Sequence, residues 1–240
     1  MGSSWEYGFR NVPEVQFSGT APNGKVILTA DYDKKEIEYI QFNTDRNNGL
    51  SNGDTITITA TLSCSEEDFV EKFGTVLGET ERPYEVSSLS YYITDWEDVP
   101  KELVDKMISQ GEDAFRAYVA RRWDRPDYLV DVSYAGNYFL TAKPNMDAIS
   151  NNSIFIVYNI TAKNPEPEET INFYYYISYD DIMVSEDGTC VVDMGSYKTP
   201  VGGFNLGIYR YNGCENLDAL FNECVGERMD QYEYTSSVQG

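Results

Sequence analysis

Alternation of apolar and polar side chains dominates the first 90 residues of the chain. In Thr55–Leu62 the residues Ile56, Ile58 and Ala60 alternate with polar neighbours, and a period of two is typical of a strand buried on one side. The same alternation predicts further strands at Val15–Ser18, Lys25–Asp31 and Glu36–Asn43. Short strands separated by turn-forming clusters indicate a small all-β, Ig-like sandwich.

The period changes to that of a helix after residue 98. Apolar side chains recur at steps of three and four between Leu103 and Val119, which predicts one long helix from Pro100 to Trp123. Asp98 stands where an N-cap residue is expected. Gly111 falls within the apolar stripe, where glycine costs about 1 kcal/mol relative to alanine. We therefore expect the helix to pack closely on a sheet at this point.

Strand periodicity returns after Pro126 and predicts an antiparallel sheet of about five strands. Within Thr170–Tyr179, alternation places Tyr174 and Tyr176 on the same face. The other predicted strands are Tyr128–Tyr134, Tyr138–Ala142, Ser153–Ala162 and Cys190–Asp193. A C-terminal helix is expected to begin after Asn216 and to end near Gln231.

These patterns predict two domains with separate cores. Strand periodicity stops and helical periodicity begins within Tyr92–Val99. The first domain, residues 1–92, is expected to be the β-sandwich module. The second, residues 93–240, is expected to be an α+β domain with a long helix, an antiparallel sheet and a C-terminal helix.

Charge and histidine content narrow the possible functions. The chain holds 40 acidic and 18 basic side chains and no histidine, so its net charge is −22. Such a charge repels nucleic acids and anionic membrane surfaces, and the lack of histidine excludes histidine-based triads and histidine-ligated zinc. Four arginines stand near the end of the long helix, and we interpret them as complementing its dipole: Arg116, Arg121, Arg122 and Arg125.

The four cysteines have no CxxC spacing, so neither a zinc site nor any other cofactor is expected. For an exported protein we predict a Cys190–Cys224 disulfide that ties the last helix to the sheet. A Cys214–Cys224 disulfide is the alternative, and buried free thiols are the other interpretation.

No catalytic or metal-ligating residues are predicted. Adjacent acids such as Asp180 and Asp181 point to opposite faces of a strand and do not form a hydrolytic pair by themselves. The oxygen-rich segment Asp45–Asn52 is interrupted by Arg46 and is read as a turn rather than a calcium loop. Among the 20 tyrosines, Tyr174 and Tyr176 are the predicted ligand-binding residues, although tyrosine also suits half-buried strands.

Several segments resemble the exported region of membrane-anchored Firmicutes proteins that carry an N-terminal zinc ribbon and one membrane helix. Val15–Gly19, Gly49–Ile58 and Tyr84–Leu89 are similar to the extracytoplasmic β-module of that family, whose function is unknown. Tyr134–Lys143 and Leu217–Val225 are similar to the domain that follows it. The resemblance implies a location at the cell envelope and supplies no catalytic residues.

The expected function is that of an exported envelope module of a Gram-positive bacterium. Apolar runs such as Ile154–Val157 are far shorter than the ~20 residues of a membrane helix. Met1–Ser4 has the composition of a vector-derived leader, so we expect the targeting segment, zinc ribbon and anchor to lie outside this sequence. We expect non-catalytic binding of an envelope protein or glycan. The alternatives are a carboxylate-dependent enzyme acting on cell-wall sugars and a structural spacer.

Overall fold

The computed structural model describes residues 5–7, 13–30 and 34–239. The vector-like residues 1–4 and the end of the predicted strand at Asp31 lie outside them. The protein is mostly β, with 44% strand and 22% helix, and its described part contains three α-helices and several antiparallel sheets. Two compact units are formed, one by Met1–Tyr91 with Val184–Thr189, the other by Tyr92–Met183 with Cys190–Gly240. That residues 1–92 and 93–240 are separate domains stays a prediction.

The first unit contains two antiparallel three-stranded sheets and one parallel pair of strands. In spatial order, one sheet consists of Glu14–Ser18, Gly24–Thr29 and Asn48–Leu50, and the other of Ile40–Thr44, Thr55–Leu62 and Glu81–Glu85. The parallel pair is formed by Trp5–Tyr7 and Thr75–Leu77. Ile56 and Ile58 are fully buried, as their alternation predicts, and side chains of both sheets share one core with Phe69 of helix α1. The elements are β1 (Trp5–Tyr7), β2 (Glu14–Ser18), β3 (Gly24–Thr29), β4 (Ile40–Thr44), β5 (Asn48–Leu50), β6 (Thr55–Leu62), α1 (Glu66–Phe73), β7 (Thr75–Leu77) and β8 (Glu81–Glu85).

The second unit is built on an antiparallel sheet of four strands, in the spatial order Glu168–Asp180, Asn152–Pro165, Leu129–Ala142 and Tyr232–Ser236. A separate hairpin is formed by Gly203–Leu206 and Tyr209–Asn212. The remaining helices are α2 (Lys101–Arg122) and α3 (Leu217–Cys224). The remaining strands are β9 (Tyr91–Tyr92), β10 (Leu129–Ala142), β11 (Asn152–Pro165), β12 (Glu168–Asp180), β13 (Met183–Val184), β14 (Cys190–Val191), β15 (Gly203–Leu206), β16 (Tyr209–Asn212) and β17 (Tyr232–Ser236). Among the described residues, no helix has the length and apolar content needed to cross a bilayer.

The two helices of this unit cover opposite faces of the four-stranded sheet. On one face Phe115 of α2 packs on Tyr175, with ring centroids 4.7 Å apart. On the other face Leu220 and Cys224 of α3 belong to a core that contains Tyr176. Since both faces are covered, the central strands are buried on both sides, and most of β11 is inaccessible to water.

Three boundary predictions are corrected by the structure. Asp98 is not an N-cap, because it ends a short 3-10 turn that is capped by Asp95, and Pro100 directly precedes α2. The two strands predicted on either side of Gly136 are one strand, β10, with a bulge. The C-terminal helix ends at Cys224 rather than near Gln231, and the unpredicted strand β17 follows it.

Gly111 confirms the predicted close approach of α2 to the sheet. A Cβ atom at this position would lie 2.3 Å from the Tyr158 hydroxyl oxygen and 2.6 Å from Cγ2 of Ile177. Tyr158 cannot move away freely, since its hydroxyl donates a hydrogen bond to the Ile108 carbonyl at 2.6 Å.

We therefore expect Gly111→Ala to lower the free energy of unfolding by about 1–3 kcal/mol, because overpacking outweighs the gain in helix propensity. Ser109→Ala is the matched control, since Ser109 is exposed on the same helix. That variant should be neutral or slightly stabilising. Urea unfolding of both variants checks the prediction, and a stabilised Gly111→Ala protein would contradict it.

Candidate functional site

Tyr176, one of the two predicted ligand-binding tyrosines, is a core residue. Its side chain is 5% exposed, and its ring meets that of Phe155 edge-on at a centroid distance of 5.3 Å. Its hydroxyl donates a hydrogen bond to Oε1 of Glu223 at 2.8 Å, and burial raises its pKa far above the ordinary value. Tyr174 and Tyr176 therefore do not form an exposed patch, because α3 covers the sheet at Tyr176.

Tyr174 lies two residues before Tyr176 on the same face of β12, at the edge of the area that α3 covers. Its side chain is half-buried and packs against the edge of the α3 core. Its backbone N–H and carbonyl are both hydrogen-bonded to Cys214, at 2.8 Å each. Gly213 allows this contact, because a Cβ there would lie 2.3 Å from the Tyr174 carbonyl oxygen. Tyr174 is thus fixed in place at the rim of an open surface.

That open surface is a groove with a volume of about 530 Å³, called here the Tyr174 groove. It belongs to the second unit. Its size falls within the 300–1,000 Å³ range typical of small-molecule sites. The lining residues are Ser133, Tyr134, Ala135, Gly136, Asn159, Tyr174, Ser237 and Gln239.

A β-bulge in β10 shapes one wall of the groove. The register with β11 shifts between Tyr134 and Gly136, so Ala135 is an extra residue in the strand. Gly136 has a φ of +124°, and a Cβ there would lie 2.6 Å from the Ser237 carbonyl oxygen. Glycine permits both the positive φ and the close approach of Ser237, so the segment after β17 can lie against the bulge. There the Gln239 N–H donates a hydrogen bond to the Ala135 carbonyl at 3.1 Å.

Cross-strand pairing places three groove side chains in a row. Ser133 of β10 is paired with Asn159 of β11, and Asn159 is paired with Tyr174 of β12. Directly paired residues have their Cβ atoms about 4.5–5.5 Å apart on one face of a sheet. Tyr134 is paired instead with Tyr158, and its hydroxyl accepts a hydrogen bond from Asn137 at 3.0 Å. We therefore take Ser133, Asn159 and Tyr174 as the side chains that define the floor.

The side-chain amide of Asn159 is unusual. Its Oδ1 atom is enclosed and accepts no hydrogen bond from the described part of the chain. A buried polar atom without a partner costs about 1–3 kcal/mol, so the Asn159 amide is the unsatisfied polar group of the groove. A ligand that lets the amide reorient towards a polar partner would relieve that cost.

The described residues that line the groove are polar and carry no formal charge at neutral pH. These eight residues include hydroxyl and amide side chains and two tyrosines, and none is Asp, Glu, Lys or Arg. Hydroxyl and amide groups next to an aromatic ring can hydrogen-bond a neutral polyol while the ring contacts its C–H face. Within a chain of net charge −22, such a surface suits a neutral ligand.

The cysteines do not form the predicted disulfide in this structure. All four are free thiols, so neither Cys190–Cys224 nor Cys214–Cys224 is bridged. Cys224, the last residue of α3, is fully buried in the core between α3 and the sheet. Cys190 lies half-buried on β14 and is not among the residues of that core. Burial raises the pKa of the Cys214 thiol to about 12. Because the thiolate is the reactive form, Cys214 is a packing residue rather than a nucleophile.

The acidic residues singled out in the sequence are engaged in local hydrogen bonds. Asp180 accepts from Ser153 at 2.6 Å and forms an ion pair with Lys198. Asp181 accepts from the backbone N–H of Asn151 at 2.8 Å. Asp45 accepts from the Thr57 N–H at 2.9 Å, which pins its turn to β6. In the described ranges, no group of three or more acidic or cysteine residues is placed to hold a metal ion.

Sequence reasoning missed Ser133 and Asn159, although a signal for Asn159 exists. On the face of β11 that α3 covers, Asn159 follows the apolar residues Phe155 and Val157 at the same two-residue step. A polar residue that continues an apolar face marks the place where the cover ends. The wall made by the segment after β17 has no comparable signal.

Comparison with known proteins found no protein-family model, no curated protein sequence and no solved structure that matches the chain. The resemblance to exported Firmicutes modules stays a prediction.

Proposed function

We propose that the protein is a non-catalytic module of the bacterial cell envelope that binds a neutral glycan in the Tyr174 groove. The observation that carries the proposal is the row Ser133, Asn159 and Tyr174 on an open sheet face, with an unpartnered amide in the middle. In this arrangement a sugar ring contacts the Tyr174 ring, and its hydroxyl groups exchange hydrogen bonds with Ser133 and Asn159.

The support for a glycan over a protein ligand comes from the character of the groove. Protein interfaces usually centre on large desolvated anchors in a dry apolar patch. This groove presents one half-buried tyrosine among small polar residues. Small hydroxyl and amide groups match the high density of hydroxyl groups on a carbohydrate.

The groove offers less support to an enzyme that acts on cell-wall sugars. Glycoside hydrolysis needs two carboxyl groups about 5–10 Å apart across the bond to be cleaved. None of the described residues that line the Tyr174 groove carries a carboxylate. Asp180 and Asp181, the most prominent adjacent pair in this unit, are held by Ser153, Lys198 and Asn151.

The proposal places the protein outside the cytoplasm, anchored through segments beyond this sequence, in agreement with the Firmicutes resemblance. It also takes residues 1–92 as an Ig-like sandwich and residues 93–240 as the α+β domain that contains the groove. The shared core of two antiparallel three-stranded sheets in the first unit supports that part. A purely structural spacer would need no groove.

Binding of neutral hexose and N-acetylhexosamine oligosaccharides, measured by titration calorimetry, tests the proposal. We expect at least one oligosaccharide to bind, and Tyr174→Ala to weaken it about tenfold or more, as for the loss of a central aromatic contact. Tyr197→Ala is the matched control, since it removes a 38% exposed tyrosine that lies outside the groove. It should leave the affinity unchanged.

A second variant guards against a folding defect in Tyr174→Ala. Ser133 is exposed, so Ser133→Trp should fold normally while its larger side chain fills the groove and abolishes binding. The proposal is wrong if no neutral oligosaccharide binds, or if binding survives in both groove variants.

A further inference from the structure

A second concave region of the same unit has the opposite electrostatic character. It lies at the C-terminal end of α2, has a volume of about 310 Å³, and is called here the basic pocket. Four of its lining residues are cations, namely Arg122, Arg125, Lys163 and Arg210. Asp124 is the one carboxylate in its lining.

This concentration of positive charge runs against the composition of the chain. The protein has 40 acidic and 18 basic side chains. Residues 127–240 contain only five basic side chains: Lys143, Lys163, Lys198, Arg210 and Arg228. Two of these five, Lys163 and Arg210, line the same small pocket.

The helix dipole does not account for the cluster. A cation near the C-terminus of a helix is stabilised by the carbonyl ends of the last turn. This explains Arg122 and also Arg121, whose Nε donates to the Ala117 carbonyl at 3.1 Å. Lys163 belongs to β11 and Arg210 to β16. Cations from a helix and two strands therefore converge on one place.

Among the residues described, three of the four cations make no side-chain hydrogen bond and no close ion pair. Arg125 is engaged, because it donates two hydrogen bonds to Asp127, at 3.0 and 2.8 Å, and stacks on the Tyr128 ring. Within the described part of the chain, Arg122, Lys163 and Arg210 make neither a hydrogen bond through their side chains nor an ion pair within 4 Å. Asp124 in the lining and Asp127, whose charge acts on Lys163, offset only part of this positive charge. An anion bound between the cations would reduce the repulsion that remains.

The remaining lining is aromatic and apolar. Trp123 and Tyr211 meet edge-to-face at a centroid distance of 5.6 Å, and Nε1 of Trp123 is enclosed without an acceptor among the residues described. Ile208 is 80% exposed at the mouth of the pocket. Such a wall suits the uncharged part of an organic ligand.

We propose that the basic pocket binds a small organic anion, whose carboxylate or phosphate lies between Arg122, Lys163 and Arg210 and whose apolar or ring-shaped part packs on Trp123 and Ile208. Planar guanidinium groups match both oxyanions through paired hydrogen bonds. The net charge of −22 repels extended polyanions. The pocket therefore selects a compact ligand with one anionic group, and it does so independently of the Tyr174 groove.

The indole N–H of Trp123 provides the readout. The chain has three tryptophans, so a ¹⁵N-labelled sample shows few indole signals, and Trp123→Phe assigns the one that matters. Benzoate and phenyl phosphate are the probes, and benzamide is the neutral analogue. We expect a saturable shift of the Trp123 signal with at least one anion and none with benzamide.

Comparison of the two anions shows whether the natural ligand carries a phosphate or a carboxylate. A response to phenyl phosphate alone identifies a phosphate ligand, and a response to benzoate alone identifies a carboxylate ligand. An equal response to benzamide would show an apolar pocket and would overturn the proposal, as would the absence of any response at millimolar concentration.

Matched charge variants complete the test. The double variant Arg122→Gln/Arg210→Gln should weaken anion binding about tenfold or more. Arg121→Gln removes a positive charge from the residue next to Arg122, outside the pocket lining, and should change the affinity less than about twofold because exposed charges are screened. An equal loss of affinity in the double variant and in Arg121→Gln would show that overall charge causes the effect, and it would overturn the proposal. Tyr174→Ala should leave anion binding intact, so the two sites can fail separately.

Discussion

Raising the pH above about 10 should unfold the protein cooperatively, because burial strongly raises the pKa of five tyrosines in the second unit. Burial raises the pKa of Tyr138 and Tyr175 from 10.0 to about 12. It raises the pKa of Tyr158, Tyr176 and Tyr179 further still. In the unfolded chain these phenols ionise near pH 10. Their contribution to stability is therefore fully present below pH 10 and is lost as the pH rises towards the pKa values of the folded state.

The expected effect is large. A group that stays protonated in the folded state but ionises in the unfolded state lowers the free energy of unfolding by about 1.4 kcal/mol per pH unit. Five such groups lower it by roughly 7 kcal/mol per pH unit, against a total stability of about 5–15 kcal/mol for a typical domain. Circular dichroism and the ultraviolet absorbance of tyrosinate should change together, before pH 12 is reached.

Tyr138→Phe provides a matched test of this mechanism. Tyr138 is 5% exposed as a residue, and its hydroxyl makes no hydrogen bond with a described residue, so removal of the hydroxyl leaves no described partner unsatisfied. The variant should shift the transition to higher pH, because one titrating group is gone. Tyr91→Phe alters a tyrosine that is 44% exposed and should have no effect. Gradual, non-cooperative ionisation of all tyrosines would contradict the prediction.

Alternation in β12 predicted which side chains share a face but not which face meets water. Tyr174 and Tyr176 do lie on one side, as a period of two requires. Their exposure depends on how far α3 extends along the sheet, and nothing within the strand encodes that distance. Tyrosine makes the ambiguity worse, because its ring suits a core and its hydroxyl suits the surface.

Gly111 was the most informative single residue of the second unit. Glycine is unfavourable in a helix interior, so its presence in an apolar stripe predicted close packing. In the structure, Tyr158 and Ile177 occupy the space that a Cβ atom at position 111 would need. A local cost in the sequence therefore located a tertiary contact, although it could not name the partner.

The groove could not be predicted, because it depends on contacts between distant segments. The sequence predicts two strands, Tyr128–Tyr134 and Tyr138–Ala142, whereas Gly136 between them belongs to a bulge inside one strand. The difference depends on β17, which pairs with β10 about 100 residues later in the chain. Its five residues carry no long apolar pattern, and four of them are exposed.

Asn152→Ala should destabilise the protein by about 3–5 kcal/mol, because it leaves buried backbone groups without partners. Asn152 is fully buried. Its Nδ2 donates to the carbonyls of Ile93 and Ile182, at 2.7 Å each, and its Oδ1 accepts from the Ile182 N–H at 2.7 Å. This one side chain thus joins β11 to the segments that hold Ile93 and Ile182, and alanine replaces none of the three bonds.

Two further variants separate this role from simple packing. Asn151→Ala changes the exposed neighbour, which would lose only a side-chain bond to Asp181, and should cost less than about 1 kcal/mol. Asn152→Asp keeps the shape but turns a carboxylate towards two carbonyl oxygens, so it should be destabilising at neutral pH. Its folded-state pKa should be raised, so the protonated acid restores one donor and stability should recover as the pH falls. Equal unfolding midpoints for the Asn151 and Asn152 alanine variants would show that the buried amide does not hold these segments together.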